Sequence, residues 1–259
     1  MRTVLRPDNP FGPGRHGFAW EHVPSGRRCH LDFGCGSGRF LETLRDKGFQ
    51  RLIGIDASRE AIEAGRRERP GLELIHRREP LPLPFADREI DSISLLDVLE
   101  HVVNQKGLLA ELHRVLKDDG VLIVTVPGLH VFSCLDLGNL KFRFPRLHRW
   151  FYRLRHSQED YEHRYAANPD GLIGDISAEK RWHEHFSRED LAGLLSGAGF
   201  EVSLFDGSGF FMRLLAPFHH LTRPVGPVNR MFQKLQRGDH LRYESANLFC
   251  VARKRPVTG

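Results

Sequence analysis

A glycine-rich turn between an apolar strand and a helix constrains the fold of this chain more than any other feature. The apolar run 29–33 has β character and enters a loop with glycine at positions 34, 36 and 38. A helical pattern follows directly, with Phe40, Leu41 and Leu44 on one face. Strand, tight turn and helix in this order predict the first unit of an open α/β sheet. Glycines permit positive φ in such a turn and let a ligand lie against the backbone.

The spacing of these glycines differs from that of a dinucleotide-binding loop. That loop reads G-x-G-x-x-G, whereas this chain reads G-x-G-x-G with Arg39 next and the acid Asp32 two residues before the turn. A glycine-rich turn can be purely structural, so the loop alone does not establish a ligand site.

A second acid lies where a ligand site on this fold requires one. Asp56 ends the apolar strand 51–56, about 20 residues beyond the loop. A carboxylate at the carboxyl end of the second strand can accept hydrogen bonds from both ribose hydroxyls. The alternative is that Asp56 or Ser58 only caps the helix predicted at 59–68.

Apolar periodicity predicts the remaining elements. Further strands are predicted at 72–76, 91–96, 121–126, 200–205 and 247–253, and helices at 105–116, 145–156, 158–165 and 187–198. We expect Asp118 to Gly120 to end the helix at 105–116, with the glycine as its stop. Ser187 and Asp190 form a capping box that starts the helix at 187–198. The alternation of strands and helices predicts a parallel sheet with right-handed crossovers.

Composition narrows the class of protein. The 259 residues are 40% apolar, enough for one sizeable core, and the net charge is +5. That charge is compatible with nucleic acid, an anionic membrane or an anionic substrate, but also with solubility alone. Four scattered cysteines without a C-x-x-C pair favour a reducing compartment over a disulfide framework or a zinc site. No signal peptide and no spanning apolar run are evident, so we expect a cytoplasmic protein.

The run Asp32-x-Gly-Cys-Gly-x-Gly resembles motif I of the class I S-adenosylmethionine-dependent methyltransferases, in the small-molecule branch of types 11 and 12. The turn 83–87 and the stretch from Val98 to His101 resemble later motifs of the same family. The resemblance is close over 28–127 and looser beyond. It implies a doubly wound, mostly parallel, seven-stranded Rossmann-like α/β sheet with helical cap insertions and a reversed last strand.

The resemblance also implies a cofactor, S-adenosylmethionine, and its binding residues. Asp32 and the loop would hold the methionine end, Asp56 the ribose, and Glu79 the adenine unless backbone groups alone read that base. The complete set of cofactor-binding residues that we expect is Asp32, Gly34, Cys35, Gly36, Ser37, Gly38, Asp56, Ala57, Glu79, Leu95 and Leu96.

Histidine is the expected general base near neutral pH if the acceptor is a hydroxyl. His101 and His183 are the catalytic candidates, with His185 close by. The segment from Trp182 to Leu191 resembles the family's segment near the acceptor pocket. His101 can equally be a structural residue, and an amine or carbanion acceptor needs a base less. His183 and His185 lie two positions apart, on opposite sides of a strand, so we expect no metal site.

We divide the chain into an N-terminal arm (1–27), a cofactor-binding half (28–128), a cap or acceptor insertion (129–182) and a C-terminal half (183–259). The arm is either a surface segment or a cover for the cofactor pocket, and the insertion is either a cap or a solvated decoration. The last part contains a basic amphipathic stretch at 207–244. This stretch could contact a membrane peripherally or could complete the core as a helical hairpin.

These observations favour a methyltransferase acting on a small-molecule or lipid-linked acceptor, with oxygen as the expected atom. An NAD-type oxidoreductase is the alternative, and the glycine spacing argues against it. The charge suggests a nucleic-acid methyltransferase, but strand four ends in Leu95-Leu96-Asp97-Val98 without an Asn/Asp-Pro-Pro-Tyr/Phe signature. A non-catalytic binding module is less consistent with the intact glycines. Acceptor and oligomeric state stay open.

Overall fold

A computed structural model describes residues 3, 5–11, 14–79, 81–129, 144–154, 156–162, 184–208, 226–228, 231 and 247–255. Its strands are β1 (Cys29–Phe33), β2 (Arg51–Asp56), β3 (Glu73–His76), β4 (Ile90–Leu96), β5 (Leu116–Pro127), β6 (Phe200–Ser208) and β7 (Asn247–Lys254). They form one seven-stranded sheet in the order β3-β2-β1-β4-β5-β7-β6.

The sheet is doubly wound, as predicted. Strands β1 to β5 pair in parallel, while β7 runs antiparallel between β5 and β6. The chain builds outward from β1 through β2 to β3 and then returns to place β4 on the other side of β1. This reversal leaves a crevice outside the carboxyl ends of β1 and β4, where ligands bind on open α/β sheets.

The helices are α1 (Arg15–His22), α2 (Arg39–Glu42), α3 (Arg59–Glu68), α4 (Gln105–Val115), α5 (Pro145–Arg153), α6 (Gln158–Tyr161) and α7 (Arg188–Gly197), with 3-10 turns at Arg45–Lys47 and Leu99–His101. The capping box is confirmed: Ser187 Oγ accepts from the Asp190 amide at 3.0 Å. Within the described ranges, no helix combines the length and apolar character needed to cross a membrane.

The predicted end of α4 was wrong. The helix stops at Val115, and Asp118 to Gly120 lie inside β5 instead of acting as a helix stop. Leu116 is completely buried and pairs with Ile90 of β4. The chain therefore becomes extended directly after Val115, because that conformation places Leu116 in the core.

The two faces of the sheet cover separate apolar clusters. Leu31 and Phe33 of β1 face the cluster that includes α4 and α7, while Phe40 and Leu41 belong to the cluster that includes α1. Every residue of β1 is buried, as expected for the centre of a parallel sheet. Because side chains alternate along a strand, His30 and Asp32 point to the opposite face of the sheet.

Helix α1 of the N-terminal arm is part of the core, whereas residues 6–8 of the arm are exposed. Phe18, Ala19 and Trp20 of α1 are buried, and the ring of Phe18 lies 5.3 Å from that of Phe249 in β7. Trp20 Nε1 donates to the Thr43 carbonyl at 3.0 Å. The aromatic residues of the arm thus fill the space between the sheet and the segment that follows the glycine loop.

A buried lysine joins the arm to that segment. Lys47 Nζ donates to the carbonyls of Trp20 at 2.5 Å and Val23 at 2.6 Å, and it lies 4.2 Å from the centre of the Trp20 ring. Burial lowers the pKa of Lys47 to about 8. Its ammonium caps the carboxyl end of α1, where cations are favoured.

The helix predicted at 145–156 ends earlier, at Arg153 of α5. The helix predicted at 158–165 is present as α6 over Gln158–Tyr161, and residues 163–165 lie outside the described residues. The rest of the insertion and most of 207–244 lie outside the described residues, including the membrane contact or hairpin predicted there.

We expect Lys47→Met to lower the free energy of unfolding by about 1–3 kcal/mol, because two buried carbonyls would lose their donor. Urea unfolding followed by circular dichroism measures this change. Lys106→Met is the control, since Lys106 is exposed. Equal midpoints for the two variants would contradict the capping role.

Candidate functional site

The glycine loop is held against the end of β2. The amides of Gly34 and Cys35 donate to the carbonyl of Ile55 at 2.8 and 3.1 Å. Gly34, Gly36 and Gly38 have φ values of +80°, +54° and +78°. All three therefore occupy the left-handed region, in which a Cβ is unfavourable.

Two of these glycines meet different surroundings. A Cβ on Gly34 would lie 2.3 Å from Cγ2 of Val98, so only glycine fits at this position without moving Val98. A Cβ on Gly36 would meet no protein atom within 4 Å. The loop is consequently packed against protein at Gly34 and open at Gly36, which leaves room for a ligand there.

Asp56, at the end of β2, forms hydrogen bonds to the glycine loop and to the residue that precedes α3. Its Oδ2 accepts from the Gly36 amide at 2.7 Å and its Oδ1 accepts from the Ser58 amide at 2.8 Å. Ser58 in turn caps α3 by accepting from the Ala61 amide at 3.2 Å. The carboxylate is only partly buried, and each oxygen has a second lone pair. Asp56 therefore supports the loop and can still accept hydrogen bonds from a ligand.

Asp32 lies beside this carboxylate but is almost completely buried. Its Oδ1 accepts from Ser94 Oγ of β4 at 2.5 Å. Burial raises the pKa of Asp32 to about 7, the Ser94 hydrogen bond opposes that shift, and the charge of Asp56 adds to it. A group of opposite charge near Asp32 would favour the ionised form.

A buried polar chain supports Asp32 from behind. His30 Nε2 lies 3.0 Å from Ser94 Oγ and His30 Nδ1 lies 2.8 Å from Ser92 Oγ. Burial lowers the pKa of His30 to about 3, so the ring is neutral. Because the Ser94 hydroxyl donates to Asp32, it must accept from Nε2–H of His30, and Ser92 then donates to Nδ1. The hydrogen-bond chain Ser92–His30–Ser94–Asp32 fixes the orientation of the carboxylate.

Sequence reasoning missed this chain. The signal available was a set of polar residues at alternate positions of otherwise apolar strands, at 30 and 32 in β1 and at 92 and 94 in β4. The parallel register sets His30 against Ser92 and Asp32 against Ser94. Only the pairing of β1 with β4 shows that these residues meet.

The helix after the loop is shorter than the apolar pattern suggested. Four residues form α2, and a 3-10 turn follows at Arg45–Lys47. A macrodipole needs several aligned turns, so α2 contributes little positive potential. Any ligand group at the loop would be held mainly by individual backbone amides.

The other expected cofactor residues line the same edge to different degrees. Leu95 is completely buried, whereas Leu96 is partly accessible at the end of β4. Ala57 follows β2 and its carbonyl contacts His76 Nε2 at 3.0 Å. Glu79 is exposed beyond β3. Burial raises the pKa of the Cys35 thiol. The Ser37 carbonyl accepts a hydrogen bond from the Arg69 guanidinium.

An ion pair that the sequence did not indicate lies beyond β4. Asp97 has φ +54° and accepts from Thr125 Oγ1 at 2.7 Å, and it pairs with Arg15 of α1. The rings of His16 and Phe40 are 5.9 Å apart. The arm thus borders the crevice in addition to filling the core.

One candidate base is described and the other is not. His101 lies on the 3-10 turn after β4, with Nε2 3.8 Å from Glu100 Oε1. His183 falls outside the described residues. Its neighbour Glu184 accepts from Gln105 Nε2 at 2.6 Å.

The segment after Glu184 is fixed at the carboxyl end of β5. The Phe186 amide donates to the Pro127 carbonyl at 2.9 Å, and the Leu129 amide donates to the Phe186 carbonyl at 2.8 Å. This segment and the glycine loop therefore lie at the same edge of the sheet.

The described residues include no group of three His, Cys, Asp or Glu side chains placed to hold a metal ion. In the same ranges Cys29, Cys35 and Cys250 are free thiols.

Known proteins resemble this chain in sequence. Residues 18–204 match a family model described as a methyltransferase domain. The "probable S-adenosylmethionine-dependent methyltransferase" of Mycolicibacterium smegmatis is 32% identical over 104 residues, 40% of this chain and 39% of that protein. The demethylmenaquinone methyltransferase of Staphylococcus epidermidis is 28% identical over 158 residues, 57% of this chain and 63% of that enzyme. The chain therefore spans less than two thirds of these relatives.

A solved structure shares the fold. The S-adenosylmethionine-dependent methyltransferase from Mesorhizobium loti superposes with a TM-score of 0.52 at 15% identity, covering 90% of this chain and 92% of that one. At this identity the likeness concerns the fold alone.

Gly34 and Gly36 of the loop give a matched pair of substitutions. We expect Gly34→Ala to lower the free energy of unfolding by about 2–4 kcal/mol, from backbone strain and the clash with Val98. Gly36→Ala should cost only about 1–2 kcal/mol, from strain alone. Urea unfolding measures both. Adding Val98→Ala should partly restore the stability of Gly34→Ala but not that of Gly36→Ala. Equal effects of Val98→Ala in the two backgrounds would refute the assigned clash.

Proposed function

This chain belongs to the class I S-adenosylmethionine-dependent methyltransferases, and from that premise we propose that it transfers a methyl group to a small-molecule or lipid-linked acceptor, at an oxygen atom. S-adenosylmethionine is the methyl donor that family membership implies. The observation that carries the proposal is the pair of carboxylates on β1 and β2 that flank a glycine loop with one open side.

The residues at the crevice fit this donor. The space beside the Gly36 Cα is free of protein atoms, and Asp56 keeps lone pairs for two hydroxyls. Asp32 gives a buried carboxylate for an ammonium group, oriented by Ser94. We assign Asp56 to the ribose and Asp32 with the loop to the methionine end. Leu96 and Ala57 would line the same cofactor, with Glu79 near the adenine.

When bound, S-adenosylmethionine supplies a methyl group on a sulfonium, with a neutral leaving group. The protein then has mainly to align the acceptor atom with that methyl group, and alignment can contribute roughly 7–11 kcal/mol to the lowering of a barrier. We propose that the insertion at 129–182 and the segment near His183 form the acceptor side. His183 or His101 would take the proton from a hydroxyl acceptor.

Two observations support an acceptor beside β5. The segment that follows His183 is anchored to Pro127 at the carboxyl end of that strand, and Glu184 is fixed by Gln105. A relative acts, by its name, on demethylmenaquinone. The reduced, hydroquinone form of such a ring, which carries the hydroxyl that this reaction needs, is therefore the first acceptor to test, before sugars and lipid-linked glycans.

Titration calorimetry with S-adenosylmethionine and with S-adenosylhomocysteine tests the cofactor directly. We expect both to bind, and binding by neither would refute the proposal. Asp56→Ala should weaken the binding of S-adenosylhomocysteine by about 1–3 kcal/mol, because two ribose hydroxyls would lose their acceptor.

Ser58→Ala is the matched control for Asp56→Ala. It removes the cap of α3, at a cost of about 1 kcal/mol in stability, but leaves the carboxylate in place. We expect its affinity to stay close to that of the wild type. Equal losses of affinity in the two variants would mean that Asp56 acts by fixing the start of α3 and not by bonding the ribose.

The raised pKa of Asp32 predicts a pH dependence of binding. In the free protein the carboxyl is half protonated near pH 7, and an ammonium ligand requires the ionised form. Binding below pH 7 must therefore release a proton, and the affinity for S-adenosylhomocysteine should fall by up to about tenfold per pH unit as the pH decreases, while staying constant above pH 8. Calorimetry from pH 5.5 to 8.5 measures this.

Asp32→Asn removes the titrating group and should give weaker binding with a flat profile over that range. A wild-type profile without a bend near pH 7 would contradict the assignment of Asp32 to the ammonium group.

A further inference from the structure

Helix α5 presents an apolar stripe to solvent. Leu147, Trp150, Phe151 and Leu154 are 44%, 57%, 54% and 62% exposed. Their spacing of three, four and seven residues places them on one side of the helix. Phe144, just before the helix, is exposed as well. Large apolar side chains gathered on one exposed face indicate a surface that binds something.

Another side of α5 packs on α6. His148 Nδ1 lies 3.2 Å from the hydroxyl oxygen of Tyr161 in α6, and the ring of Tyr152 is 5.6 Å from that of Tyr161. Tyr161 itself is almost completely buried. The polar aromatic side chains of α5 therefore pack on α6, and the apolar stripe takes no part in this contact.

Arginines lie on α5 between the stripe and the side that packs on α6, and the Arg149 guanidinium is 5.2 Å from the centre of the Tyr161 ring. Arg146, Arg149 and Arg153 are exposed, and with Trp150 and Leu154 they line a cleft of about 680 Å³. Positions 141–155 of the sequence contain six Lys and Arg residues and no Asp or Glu. The surface thus combines a concentrated positive charge with exposed aromatic and aliphatic side chains.

We propose that α5 docks this protein on an anionic lipid surface. The apolar stripe would enter the boundary between headgroups and acyl chains, as in amphipathic interfacial helices. The arginines would contact lipid phosphates, for which a guanidinium offers paired donors. Trp150 lies between the two, where an indole ring is favoured at a membrane interface.

Charge and shape together select this occupant. An acidic protein partner would match the arginines but would leave four exposed apolar side chains without a nonpolar environment. A second copy of the chain would match the stripe but would bring two arginine rows together, because the same surface would lie on both sides. An anionic bilayer offers negative charge and a nonpolar layer at the same place. This docking does not depend on the proposed function, since it involves neither cofactor nor acceptor.

Flotation of the full chain with vesicles tests the proposal. The probes are vesicles of phosphatidylcholine with 30 mol% phosphatidylglycerol and vesicles of phosphatidylcholine alone. Each basic residue near an anionic surface changes binding by roughly fivefold at low salt. We therefore expect binding to the anionic vesicles that is on the order of 100-fold tighter than to the neutral ones, and that weakens at 1 M salt.

Variants locate the surface. The triple variant Arg146→Gln/Arg149→Gln/Arg153→Gln should lose most of the anionic preference. The charge-matched control Arg67→Gln/Arg88→Gln/Lys106→Gln, at exposed positions elsewhere, should keep it. Trp150→Ser/Leu154→Ser should also weaken binding, whereas Val103→Ser, at another exposed apolar residue, should not.

Trp150→Phe gives a positional readout. It keeps the apolar stripe and should still float, but the quenching of tryptophan fluorescence by brominated lipid should fall sharply. Equal binding to both vesicle types, equal losses in the two triple variants, or undiminished quenching in Trp150→Phe would each overturn the proposal. So would a stable dimer, measured by light scattering, that Leu154→Ser dissociates in the absence of vesicle binding.

Discussion

The hydrogen bond from the Gly36 amide to the Asp56 carboxylate links the glycine loop to the neighbouring strand, and the geometry of the crevice depends on it. The same carboxylate accepts from Ser58 at the start of α3. Strand β2, the loop and α3 therefore keep fixed relative positions around one side chain. A ligand that bonds to Asp56 would meet a group already oriented by the protein, so little ordering would be needed on binding.

Behind this link, the protein tolerates a buried carboxyl group at the centre of its sheet. Asp32 has no cationic side chain among its hydrogen-bond partners in the described structure; Ser94 supplies its hydrogen bond, and His30 and Ser92 complete the chain. A neutral network of this kind orients the carboxylate without neutralising it. The ionised form is therefore available to a cationic ligand, and the raised pKa of Asp32 lowers the stability of the empty protein progressively as the pH rises from about 4 to about 7.

The N-terminal arm is attached to the sheet by a few specific contacts. The arm is joined to the end of β4 through Arg15 and Asp97 and to the core through Trp20 and Lys47. Helix α5 packs on α6 through His148, Tyr152 and Tyr161, while its apolar stripe stays exposed.

The sequence by itself determined the sheet and placed Asp32, the glycine loop and Asp56 at the carboxyl ends of β1 and β2. Apolar runs, the spacing of Gly34, Gly36 and Gly38 and the two acids were sufficient, because strand periodicity and turn chemistry are local properties. The roles assigned to the site residues, including His183, stay predictions. Tertiary structure alone decided that α4 stops at Val115, that the arm is buried, and that His30, Ser92 and Ser94 form a chain with Asp32. Each of these depends on which residues face one another across strands distant in sequence, and no local pattern encodes that pairing.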